Sequence, residues 1–285
     1  MPSDLGLTRR GLVADAVATL AATGIGDVRR EALRIWSGLE GGWTARASLD
    51  ADEPVSCERA AAFLAAVRRR SAGEPLAHVT GWTGFRHLTL RTDRRALIPR
   101  PETEGLVELL LARVRVGHVA DVGTGTGCIA LSLATEGDFD HIVGIDRSAD
   151  ALALAEENRR RVGASVAFVR GDLTASLRSA SLDALVSNPP YLTAGEYATL
   201  DSSVRKWEPE LALVGGADGL EAIDRLLDDG QRVLRAGGWL ALEIDVARAA
   251  RCAARAGASG WTDVAVHADL FGRERYLLAR RSDAA

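Results

Sequence analysis

Residues 118–146 read HVADVGTGTGCIALSLATEGDFDHIVGID, and this stretch decides the fold. An apolar run, His118–Val122, is followed by three alternating glycines, Gly123, Gly125 and Gly127. A helical pattern spans Gly127–Thr135, and a second apolar run, His141–Ile145, ends in Asp146. Strand, glycine turn, helix, strand is one βαβ unit. The same alternation continues outward. Further strands are predicted at Val166–Arg170, Leu182–Ser187, Trp239–Ile244, Asp263–His267 and Arg275–Ala279. Helices are predicted at Glu102–Arg115, Ala149–Arg161 and Gly219–Leu234. This predicts an α/β fold with a doubly wound, mostly parallel, seven-stranded Rossmann-like sheet.

Upstream the period is helical. Thr8, Asp27 and Ser56 are N-caps of three predicted helices, the first closed by Gly24, the second by Gly41-Gly42 and the third before Gly73. The third ends in Arg68-Arg69-Arg70, which favours a helix C-terminal dipole; the alternative is a partner-binding patch. Residues 77–98 change period around Gly81 and Gly84 and suggest a hairpin. The expected domains are a small all-α domain over 1–75, a β-hairpin connector over 76–96 and an α/β domain over 97–285. Residues 282–285 are expected to fray.

The chain has 285 residues, 47% hydrophobic and 26% charged, with a net charge of -4. That composition supports a sizeable core and excludes wholesale disorder. Residues 1–95 carry 14 basic and 11 acidic side chains, so the net negative charge resides in the remainder. An acidic second part argues against nucleic-acid binding through bulk charge. Cys57, Cys128 and Cys252 form no CxxC pair and fit a reducing cytosol. The five histidines have no HxxxH spacing, so no metal is expected. No apolar leader and no 18-residue apolar run are present, so a cytoplasmic protein off the membrane is expected.

Two motifs carry the chemistry. In Asp121-Val122-Gly123-Thr124-Gly125-Thr126-Gly127 the glycines let backbone approach a ligand closely. Asp146, at the end of the next strand, is placed to accept from ribose hydroxyls. Together they indicate an adenosine-containing cofactor, either a nicotinamide dinucleotide or S-adenosyl-L-methionine. Asp121 leans toward the latter, whose sulfonium and amino groups are cationic.

The second motif is Asn188-Pro189-Pro190-Tyr191, at the carboxyl end of the predicted strand Leu182–Ser187. The prolines remove two donors and stiffen the backbone. The Asn188 side-chain oxygen and the Pro189 carbonyl are then adjacent acceptors, suited to the two N–H bonds of a planar NH2 group. Tyr191 offers a flat face. An amide nitrogen is a poor nucleophile. Holding both its N–H bonds orients its lone pair and stabilises positive charge developing on it.

With these motifs stand EPLAHVTG (74–81), LIPRPETE (97–104), VRKWEP (204–209) and GADGL (216–220). On these residues the chain resembles the peptide-chain release-factor glutamine methyltransferases, the PrmC/HemK family. The resemblance implies transfer of a methyl group from S-adenosyl-L-methionine to the glutamine side-chain amide of the GGQ motif in class 1 release factors, leaving S-adenosyl-L-homocysteine. It implies that Asn188 and Pro189 hold the amide, that Tyr191 packs against it, and that Pro190 completes the substrate site. It implies cofactor contacts from Gly123, Thr124, Gly125, Gly127, Asp146 and Asn188, from Asp172 at the adenine end, and from Arg100 and Thr103 in a closing segment. The helical domain would help to dock the release factor. Separately from the resemblance, a monomer is expected. The chain departs from the family at Glu243-Ile244-Asp245 with Arg248, where Glu-Ile-Gly and a glutamine are usual. It departs again at Leu173-Thr174, where an aromatic is common. The alternative activity is methylation of an adenine amino group in DNA or RNA, which would need base flipping.

Overall fold

A computed structural model describes residues 7–39 and 52–283. The turn expected at Gly41-Gly42 and the last two residues of the expected tail lie outside the described residues. The chain divides into two compact units, residues 1–83 with 201–207, and residues 84–200 with 208–285.

The first unit contains α1 (Arg9–Ala21), α2 (Val28–Leu39), α3 (Cys57–Ser71) and α4 (Leu76–Thr80). The caps are those the sequence indicates. Thr8 Oγ1 accepts from the Gly11 N–H, Asp27 Oδ1 from Arg30 and Ser56 Oγ from Arg59. Leu12, Leu20, Ile35, Trp36, Phe63 and Val67 bury their side chains together. Two of the three clustered arginines are internal struts. Arg69 pairs with Glu74 at 2.5 Å and donates to the carbonyls of His78 and Val79. Arg70 pairs with Glu31 at 2.5 Å. Residues 76–80 are therefore helical rather than extended, held by these bonds and closed by Gly81 at φ 78°. A hairpin follows, β1 (Trp82–Phe85) and β2 (Leu88–Arg91).

The second unit carries α5 (Pro101–Leu111), β3 (Val116–Val122), α6 (Cys128–Glu136), β4 (Asp138–Asp146), α7 (Ala149–Val162), β5 (Ala167–Arg170) and β6 (Leu182–Ser187). After α8 (Ala194–Thr199), the chain contributes the short helix α9 (Ser202–Arg205) to the first unit. It then continues with α10 (Glu221–Val233), β7 (Leu234–Glu243), α11 (Ala249–Ala258), β8 (Trp261–Ala268) and β9 (Glu274–Arg281). The strand order is β5-β4-β3-β6-β7-β9-β8. The first five run parallel, and β9 enters antiparallel between β7 and β8. The predicted seven-stranded, mostly parallel sheet is the one found.

Successive strand residues face opposite layers. Ala120, Val122, Leu240 and Leu242 pack with Ile223, Leu226 and Leu227 of α10. Val119, Ala184, Val186 and Ala241 pack with Leu106 and Leu110 of α5 and with Leu131 of α6. The chain leaves β3 toward one sheet edge and returns beside it as β6 to build the other half. The crevice at the carboxyl ends of β3 and β6 is thus the switch point at which such sheets bind ligands. It receives Gly123 from one strand and Asn188 from the other. Among the described residues no helix is long and apolar enough to cross a membrane.

Candidate active site

A cavity of about 260 Å³ opens at this switch point, entirely within the second unit. Its floor is the glycine turn. The N–H groups of Gly123 and Thr124 both donate to the Ile145 carbonyl, at 2.8 and 3.0 Å, which ties the turn to the end of β4. Asp146 completes the join. Its Oδ2 accepts from the Gly125 N–H and its Oδ1 from the Ser148 N–H, both at 2.9 Å. Gly125 has φ +55°, and a Cβ there would meet nothing nearer than Ala96 Cβ at 3.9 Å, so it would stand in open cavity. The turn is a cradle that a side chain would fill, walled by a carboxylate. Apolar Leu97, Ile98, Ile129 and Leu173 share the wall with polar Arg100 and Asn188. That mixture suits a nucleoside bearing an amino-acid chain.

Of the residues read from sequence, Gly123, Thr124, Gly125, Asp146, Asp172, Arg100, Thr103, Asn188 and Pro190 share this wall. Four others do not line it. Asp121 is fully buried under the turn, where its Oδ2 accepts from Thr124 Oγ1 at 2.6 Å and from the Ala130 N–H at 3.1 Å. Burial lifts its carboxyl to about 7. It supports the loop rather than facing a ligand. Gly127 caps α6 at φ 82°, and a Cβ there would press on Phe168, Ala155 and Leu131 at 3.1–3.3 Å. Its glycine serves helix packing. Pro189 is buried between the lining residues Asn188 and Pro190, and Tyr191 packs against the core on the α10 side, its hydroxyl pushed up to about 12 by burial.

The NPPY turn is buttressed from behind. Leu192 and Gly215 exchange backbone hydrogen bonds with the returning segment, Leu192 N–H to the Leu213 carbonyl and Gly215 N–H to the Leu192 carbonyl. A Cβ on Gly215 would collide with the Pro190 carbonyl oxygen, and one on Gly219 with that of Tyr191. The glycines of residues 215–219 thus allow backbone to press directly on the turn.

Three charged residues that the sequence motifs include, but to which the sequence assigns no role, hold distant segments together. Glu208 accepts from the Ile98 N–H and pairs with Arg100 at 2.6 Å. Glu243, at the end of β7, accepts from Thr103 Oγ1 at 2.7 Å, and Thr103 Oγ1 accepts from Asn188 Nδ2 at 3.1 Å. Arg248 is buried and reaches Glu196, Asp245 and the Asp218 carbonyl. The Asp245 and Arg248 departure is therefore a staple across the buttress. Leu173, at φ 49°, lines the cavity, while Thr174 turns inward and donates to Asp229 at 2.6 Å.

Residues 101–206 match the methyltransferase small domain, and residues 12–81 match the PrmC N-terminal domain. A release factor glutamine methyltransferase of Cereibacter sphaeroides is 41% identical over 93% of this chain and 95% of its own length. The chain belongs to the release factor glutamine methyltransferase family. Another family member, from Deinococcus radiodurans, is 38% identical over 96% of this chain and 98% of its own length. The fold matches a methyltransferase of Pyrococcus furiosus with TM-score 0.52 and 19% identity, covering 68% of this chain and 88% of that one. In this S-adenosylmethionine-dependent methyltransferase, the motif that carried the resemblance, Asn188–Tyr191, thus leads out of the strand beside the glycine turn.

Proposed function

We propose that this methyltransferase modifies the side-chain amide nitrogen of the GGQ glutamine in class 1 peptide-chain release factors, with S-adenosyl-L-methionine as donor and S-adenosyl-L-homocysteine as product. One observation carries the reading. Asn188 stands on the wall that also bears Gly125 and Asp146, with its Nδ2 bonded to Thr103. Its Oδ1 is thereby left as an acceptor, and no described residue donates to it.

When bound, the donor supplies an electrophilic methyl group on a cationic sulfonium. Asp146, fixed by two backbone N–H groups, accepts from the ribose hydroxyls. Gly123 and Gly125 let the backbone come close, and Leu173 and Asp172 bound the adenine end. Asn188 Oδ1 and the Pro189 carbonyl accept the two N–H bonds of the glutamine amide. Fixing both N–H bonds sets the plane of the amide, so the lone pair perpendicular to it can be presented to the methyl carbon. As the N–C bond forms and the C–S bond breaks, the charge that grows on nitrogen is stabilised by the two acceptors, and one N–H proton is then lost to water. No general base need act before attack. Tyr191 supports the turn from the core side. The helical unit, which matches the PrmC N-terminal domain, helps to dock the release factor. The enzyme acts as a cytoplasmic monomer and does not contact nucleic acid directly.

Incubation with labelled S-adenosyl-L-methionine and a release factor, followed by mass spectrometry of the GGQ peptide, tests the reading. Methylated glutamine is expected. Asn188→Ala should lower turnover by at least ~10²-fold, the scale of losing one preorganised partner at a reacting centre. An unmodified glutamine beside methylated adenine in added DNA would overturn the assignment.

A further inference from the structure

The Asn188 amide could face the cavity with either its oxygen or its NH2, and only the oxygen can receive a substrate N–H. The chain fixes this choice through Thr103. That hydroxyl lies 2.7 Å from Glu243 Oε2 and 3.1 Å from Asn188 Nδ2, at 2% exposure. It has one proton to donate. An ionised Glu243 can only accept, so the Thr103 proton goes to Glu243, and the Thr103 lone pair is left to accept from Asn188. The NH2 is consumed there, and Oδ1 is turned outward.

We propose that Glu243, acting through Thr103, is a positioning residue that sets the Asn188 amide with its oxygen toward the substrate. The inference rests on the reading that Asn188 holds the glutamine amide. Glu243 is held in a balanced setting. Arg275 Nη1 stands 4.0 Å from its Oε1, and Arg275 is itself braced by Asp269 at 3.0 Å. Arg100 also favours the charged form, Glu102 opposes it, and Tyr191, Tyr276 and Cys128 feel its charge. Burial leaves the carboxyl at about 7. Once protonated, Glu243 can donate to Thr103. Thr103 can then donate to Asn188 Oδ1, and the amide turns its NH2 toward a substrate that also offers N–H.

The test uses the full chain with a release factor as substrate and four proteins: wild type, Thr103→Val, Thr103→Ser and Glu243→Gln. Thr103→Val removes the hydroxyl at constant shape. Its kcat should fall by ~10²-fold, with KM and the calorimetric Kd for S-adenosyl-L-homocysteine within ~3-fold of wild type. Thr103→Ser should recover most of the loss. Wild-type kcat should decline as pH falls through about 7, and Glu243→Gln, which cannot titrate, should lack that acid limb. A Thr103→Val enzyme with wild-type kcat, or an acid limb retained in Glu243→Gln, overturns the proposal. Wild-type enzyme that leaves the GGQ glutamine unmodified overturns the functional reading instead.

Discussion

The buried carboxylate of Glu208 accepts the backbone N–H of Ile98 at 3.1 Å, across 110 residues of sequence. Its second oxygen pairs with Arg100 at 2.6 Å. One side chain therefore joins the IPRPETE and WEP stretches, and it holds in place the segment from which Arg100 and Thr103 reach the cavity.

Glu208→Ala should leave the Ile98 N–H buried without a partner. The expected cost is ~1–3 kcal/mol of stability, the penalty for one orphaned buried donor. The Arg100 pairing adds little, because that side chain is one-third exposed to water. Glu208→Gln keeps an acceptor and should lose less. Urea unfolding of the three proteins reads the order directly. Equal midpoints for Ala and wild type would show that the clasp is not structural.

Gly219→Ala tests the buttress behind the NPPY turn. The added methyl would collide with the Tyr191 carbonyl oxygen and lie 2.8 Å from Arg248 Nε, at a backbone φ of +75°. Neither contact can be tolerated without movement, and the φ disfavours any L side chain. The turn should shift, lowering kcat by ~10²-fold, as small misplacements at a reacting centre do. Gly219 does not line the cavity, so S-adenosyl-L-homocysteine affinity should hold within a few-fold. A matched fall in both quantities would place Gly219 in the cofactor site instead.

The fold was legible because its signals are local. The β3–α6–β4 stretch carries its own period, turn glycines and terminal acid, and the NPPY turn follows a strand of strong apolar character. Helix α11 was not legible. Its buried face is Ala249, Cys252 and Ala256, small residues that give no hydrophobic stripe. The clasp and relay residues were hidden for a different reason. Glu208, Glu243 and Arg248 each reach a partner between 30 and 140 residues away, and no spacing rule links such pairs. Gly125 and Gly127 look alike in sequence. Only the three-dimensional surroundings show that one faces open cavity and the other Phe168.

The arginine cluster at the end of α3 makes a sharp contrast possible. Reversing all three arginines to glutamate would test docking only if they were free, and two are not. Arg69→Glu would set a carboxylate against the 6%-exposed side chain of Glu74 and abandon two backbone carbonyls. It should destabilise the protein by ~2–4 kcal/mol, the range for an uncompensated, partly buried charge. Arg68 is exposed and donates no side-chain bond of this kind to any described residue. Arg68→Glu should change stability by under ~0.5 kcal/mol, so its effect on KM for the release factor reports docking alone. Thermal melts of the two variants decide the first claim: parallel melts reject it.

Asp121 should give the protein a distinctive pH dependence. Its carboxyl ordinarily titrates near 3.8, and full burial lifts it to about 7 in the folded state. Between those values the unfolded chain has already lost the proton that the folded chain retains. Stability therefore falls as pH rises from about 4, and the loss levels off above about 7. An asparagine at this position would keep an acceptor for Thr124 and Ala130 but has no proton to lose, so Asp121→Asn should escape the decline. From about pH 5 to about pH 7 the gap should widen by up to ~2–3 kcal/mol, at about 1.36 kcal/mol per unit. For a domain of this size that is of order 5 °C in melting temperature. Glu243, also raised to about 7, slopes the same way in both proteins and cancels in the difference. Melting curves at pH 5, 6, 7 and 8 settle it. A constant gap would mean that Asp121 is ionised throughout, held so by its two donors.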